Sequence, residues 1–135
     1  MIRFSLVWCV LGLLFLSTGC GSSLVQVSGK VTLDGAPLNT GNISFAPVGE
    51  GQVAIGTINS KGEYTLQSGS ANGVPPGKYR VTVVATELVQ PTPQNPEPLP
   101  KILTPPKYNN ADTSGLTADV TSSNKTHDFK LTSMP

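Results

Sequence analysis

From Leu24 onward the apolar residues fall on alternate positions. Val25, Val27, Val31 and Leu33 lie on one side of an extended chain and Gln26, Ser28, Lys30, Thr32 and Asp34 on the other. That is the period of a half-buried strand. Asp34-Gly35 with Pro37 predicts a turn, and Asn42-Ile43-Ser44-Phe45 begins a second alternating segment that Pro47 ends, so the two segments predict a hairpin. Val53, Ile55 and Thr57 form a third segment. Asn59-Ser60-Lys61-Gly62 then reads as a turn into a fourth, Glu63-Tyr64-Thr65-Leu66, whose apolar partners are Tyr64 and Leu66.

The fifth segment is the clearest: after Pro75-Pro76-Gly77, the residues Tyr79, Val81, Val83 and Ala85 alternate with Lys78, Arg80, Thr82 and Val84. Leu116, Ala118 and Val120 make a sixth, and His127, Phe129 and Leu131 a seventh. None carries a helical period. Seven one-sided strands bury their apolar faces by forming two antiparallel sheets packed face to face, so the expected fold is an all-β, seven-stranded sandwich over residues 24–135. Residues 88–115 interrupt the pattern. Pro91, Pro93, Pro96, Pro98, Pro100, Pro105 and Pro106 fix φ and cannot donate ladder hydrogen bonds, so this connection is expected to be extended and solvated.

The first residues follow a different pattern. Arg3 gives one positive charge, Leu6 to Leu16 is an almost unbroken apolar run, and Ser17, Thr18 and Gly19 are small. The run is shorter than the roughly 20 apolar residues a membrane span needs. Residues 1–19 therefore read as an export signal. Gly19-Cys20 followed by Gly21-Ser22-Ser23 resembles the lipobox of bacterial lipoproteins, with Ser17 where that pattern usually has Leu. The resemblance implies cleavage before Cys20, lipid on Cys20 and a short flexible tether over residues 20–23. Cys9 lies inside the run that cleavage removes, so it leaves Cys20 no intramolecular disulfide partner. At about 0.8 kcal/mol per buried methylene, two or three acyl chains hold a domain firmly where one is marginal.

Composition narrows the function. Charged residues are 13% of the chain, against about a quarter in an average globular protein. The formal net charge is +1, and no basic stripe offers itself to phosphates, which argues against nucleic-acid binding.

Val27-Ser28-Gly29-Lys30-Val31-Thr32-Leu33-Asp34-Gly35, Ala54-Ile55-Gly56-Thr57, Gly62-Glu63-Tyr64 and Pro75-Pro76-Gly77-Lys78-Tyr79-Arg80-Val81 resemble the carboxypeptidase regulatory-like, or transthyretin-like, domains. Pro105 to Tyr108 and Thr113 to Leu116 extend the likeness toward the small exported versions of planctomycete-type bacteria. The resemblance implies a prealbumin-like Greek-key sandwich with no catalytic apparatus and no cofactor.

The residues offer little chemistry of their own. The hydrolase built on a transthyretin-like fold needs several histidines and a Tyr-Arg-Gly-Ser ending, whereas this chain has one His and ends Thr132-Ser133-Met134-Pro135. His127 stands beside Asp128, but adjacent strand residues point to opposite faces, and its parity with Phe129 puts it at the core edge. Asp34, Asp112, Asp119 and Asp128 lack the spacing of a calcium loop, and one His cannot build a zinc site. Lys30 is expected to face out, which argues against an isopeptide bond. Tyr108 is either an exposed contact residue for a sugar or peptide, or a pin fixing the long connection to the sandwich.

Two functions follow. One is a non-catalytic lipoprotein on the periplasmic or outer face of the cell envelope, acting in structure or in interaction with a protein or glycan partner. The other is a carbohydrate- or peptide-binding module using residues 88–115.

Overall fold

The computed structural model describes residues 23–134. The signal segment and the expected lipidation residue Cys20 lie outside the described residues. Strands form where the alternation predicts them: β1 (Ser28–Leu33), β3 (Asn42–Pro47), β4 (Ala54–Thr57), β5 (Glu63–Thr65), β8 (Gly77–Val84), β11 (Leu116–Val120) and β12 (Phe129–Leu131). Between them lie the two-residue strands β2 (Ala36–Pro37), β6 (Gln67–Ser68) and β7 (Ala71–Asn72). The fold is all-β; the helical segment among the described residues is a single 3-10 turn, Pro106–Asn109.

One sheet runs β11-β8-β3-β4-β6-β7, and the other is built on β1, flanked by β12, β2 and β5. Their inner faces share one core. Phe45 of β3 is fully buried, and its ring centroid lies 5.9–6.2 Å from those of Tyr64, Tyr79, His127 and Phe129. Val27, Val31, Ile43, Leu66, Val81, Val83 and Val120 are fully buried around it, each contributing about 1.5–3 kcal/mol by leaving water.

The expectation of antiparallel pairing fails at one edge. β12 runs parallel to β1, with Val31 opposite Phe129 and Leu33 opposite Leu131. This approach explains Gly29: a Cβ there would overlap the backbone carbonyl of His127 and come within 2.9 Å of the Tyr64 hydroxyl. The glycine of the Val-x-Gly-x-Val motif thus makes room for the incoming last strand. In the Pro-Pro-Gly-x-Tyr motif, the Tyr79 hydroxyl donates to the Pro75 carbonyl at 2.7 Å, pinning the start of β8.

The third segment has its faces reversed. Ala54 and Gly56 point into the core, while Val53 and Ile55 are exposed. Beneath Gly56 lie the Thr65 carbonyl and the methyls of Ile43 and Leu66, 2.9–3.2 Å from where its Cβ would be, so only a residue without a side chain fits inward.

The proline-rich connection pairs with itself, which the sequence did not predict. It forms an antiparallel ribbon of β9 (Thr86–Val89) and β10 (Leu99–Ile102), with Leu88 opposite Pro100. Thr92 and Asn95 exchange backbone hydrogen bonds near its tip. Every residue from Thr86 to Ile102 is exposed, so the ribbon stands off the sandwich as an arm. It continues from the end of β8, whereas Val25 pairs with Val74 just before the other end. The eight residues of β8, at about 3.3 Å each, place the arm and the N-terminal part of the domain at opposite ends.

Candidate functional site

The sheets diverge between β4 and β5. Glu63, Tyr64 and Thr65 pair with β1, while Ile55 of β4 pairs with Gln67 one step further on. The chain therefore changes sheets at Leu66 and leaves a groove of about 620 Å³ lined by Gln52, Val53, Ile55, Thr57, Glu63 and Thr65, among others. The turn at its end is locked by Asn59, whose Oδ1 accepts from the Lys61 and Glu63 backbone N–H groups at 2.9 and 3.0 Å. The Asn59 amide donates to the Glu63 carboxylate at 3.2 Å. Amides, hydroxyls, two aliphatic side chains and the Glu63 carboxylate suit a polar chain without negative charge, held by hydrogen bonds. Tyr64, also at the groove, keeps its phenol committed to the His127 carbonyl, and burial, with the charge of Asp128, pushes its pKa well up.

Tyr108 is not the exposed contact residue considered from sequence. It is buried in the 3-10 turn, and its hydroxyl accepts from the Thr132 backbone N–H at 3.1 Å. Lys107 Nζ lies 4.9 Å from its ring centroid. Burial pushes the phenol up, but the hydrogen bonds from Thr132 and the Lys107 charge outweigh it and leave the pKa below its ordinary value. The residue ties the long connection to the strand that ends the domain.

His127 is half-buried, its Nε2 3.2 Å from the Asn124 carbonyl oxygen. Asp128 instead accepts from the Lys30 backbone N–H at 2.8 Å, so the two neighbours diverge. Asp112 pairs with Arg80 at 2.6 Å, and Asp34 accepts from Ser133 N–H at 2.9 Å. Among the described residues no three His, Cys, Asp or Glu side chains are grouped to hold a metal.

Sequence reasoning missed both the groove and the arm. The reversed parity of Val53 and Ile55 hid the first. The second was legible in Leu88-Val89 and Leu99 to Ile102 flanking a turn, but the prolines masked it.

The chain matches no family model and no curated protein. Among solved structures it is similar to a 9R-lipoxygenase from Cyanothece PCC8801 at 13% identity and a TM-score of 0.36. That likeness covers 81% of this chain and only 16% of the lipoxygenase, and it carries no functional argument.

Proposed function

We infer that the chain is a non-catalytic exported lipoprotein, held by lipid on Cys20 at the periplasmic or outer face of the cell envelope, whose domain serves structure or interaction. The observation that carries this reading is the apolar run Leu6 to Leu16 ending in Gly19-Cys20. The domain is read as carboxypeptidase regulatory-like, with β1, β3, β4, β5, β8, β11 and β12 as the seven strands of a prealbumin-like Greek key. Its support is that Gly29 and Tyr79, two motif residues, each make a contact the packing requires. Intact-mass analysis of the membrane fraction tests the anchor. A Cys20 at the N-terminus carrying two or three acyl chains is expected; a chain beginning after Cys20, or at an unmodified Cys20, overturns it.

The groove favours a second reading, a carbohydrate- or peptide-binding module. The site moves from Tyr108 to the wall formed by Ile55, Thr57 and Thr65. A glycan array and a peptide pull-down, with Ile55→Glu as control, test it; binding that Ile55→Glu leaves unchanged, or no binding in either assay, removes it.

A further inference from the structure

The two edges of the arm are not equivalent. Leu103 N–H donates to the Ala85 carbonyl at 2.9 Å, which sets the hydrogen-bonded pairs of the ladder at Ala85 with Leu103, Glu87 with Lys101 and Val89 with Leu99. The residues between them turn their backbone groups outward. On β10 the outward position beside Ile102 is Pro100, and Pro98 precedes the strand, so that edge lacks donors at both prolines. On β9 the outward positions are Thr86 and Leu88, each with a donor and an acceptor. This open edge lies on the β3 side, because Lys78 of β8 accepts from Val48 after β3 and the alternation continues into β9. There β3 has already ended, its Asn42 opposite Val84.

The side chains flanking the edge are apolar. Leu88, Pro100 and Ile102 share one face, and Leu88 and Ile102 are 67% and 58% exposed. A bare edge beside an uncovered apolar face is a template for another strand. We propose that the occupant is the same edge of a second copy of this chain, two β9 strands pairing antiparallel about Leu88.

Self-pairing suits this edge in three ways. With Leu88 opposite the second copy's Leu88, Thr86 meets Gln90 and Glu87 meets Val89, so no like charges stand directly opposed. Each Glu87 keeps Lys101 of its own ribbon opposite it. The resulting sheet, β10-β9-β9-β10, ends on proline-bearing edges at both sides, so assembly closes at two copies instead of growing into a filament. The proposal rests on the interaction reading above and names the partner.

Light scattering on the full chain in mild detergent, across a concentration series, tests it. Wild type is expected to pass from monomer to dimer with a Kd of about 10–100 μM, and Leu88→Pro and Leu88→Lys each to raise that Kd at least about tenfold. Leu88→Pro removes an outward donor and no inward ladder bond; Leu88→Lys keeps the backbone intact and decides the matter if the proline variant loses its strand signal by circular dichroism. A wild type that stays monomeric to about 1 mM, a dimer that Leu88→Lys leaves unchanged, or growth beyond two copies overturns the pairing. Lipid on Cys20 is scored by mass in the same preparation, so a lipidated monomer removes the dimer and leaves the anchored module standing.

Discussion

The hydroxyl of Tyr64 donates a hydrogen bond of 2.5 Å to the backbone carbonyl of His127, 63 residues away. It fastens β5 to the segment that leads into β12, at the spot Gly29 keeps clear. Tyr64→Phe leaves that carbonyl short of its partner and is expected to cost about 1–3 kcal/mol in urea unfolding at neutral pH. The pH dependence has a definite sign. Burial holds the folded phenol well above its ordinary 10.0, so the stabilisation is complete below pH 10.0 and drains away as rising pH ionises the unfolded chain first. The gap between wild type and Tyr64→Phe should narrow in alkali; a constant gap contradicts the assignment.

Gly29→Ala should be among the most damaging single-methyl changes in the domain. Its new Cβ meets backbone, the His127 carbonyl, which cannot move without displacing β12. Overpacking of this kind costs about 1–3 kcal/mol and at times more. A thermal melt with Gly49→Ala, where the added methyl meets open space, supplies the comparison. Equal melting temperatures would show that β12 does not pack as described.

Tyr108→Ala should behave as a core truncation. Removing a buried ring costs about 3–5 kcal/mol, and here it also strips the Thr132 N–H of its acceptor. Loss of stability in chemical denaturation is the expected readout. A variant as stable as wild type would return Tyr108 to the surface role its proline-rich context suggested.

Asp34 gives the acid counterpart. Hydrogen bonding to Ser133, through its side chain and its backbone N–H, holds the carboxyl below its ordinary 3.8. A lowered folded pKa means stabilisation present above 3.8 and lost as pH falls through the folded value. Wild type should therefore exceed Asp34→Asn in stability near neutrality and converge with it in acid. Denaturation midpoints across that range check the sign.

How much of this was legible depended on what each residue had to pack against. Tyr79, Val81, Val83 and Ala85 announced both a strand and its inner face, because large apolar side chains on one parity have one place to go. Val53 and Ile55 misled for the complementary reason: the space under β4 is already filled by Ile43 and Leu66, so small residues face inward and the aliphatic ones remain outside to line the groove. Periodicity records which residues are apolar, not how much room the opposite sheet leaves. The arm was hidden by a rule that holds for central strands only. Pro100 occupies an outward-facing position of a two-stranded ribbon, where the missing N–H breaks no bond. Tyr108 could not be placed from sequence, since its anchor, Thr132, lies 24 residues away.

The parallel pairing of β1 with β12 also governs when this domain comes into being. Val31 finds Phe129 only after nearly the whole intervening chain has been delivered, and until then β1 has one long flank bare. Contacts of such wide sequence separation make closure late and slow. A chain cut before Phe129 would therefore lose the whole strand, leaving the first-made half of the sandwich with an adhesive border.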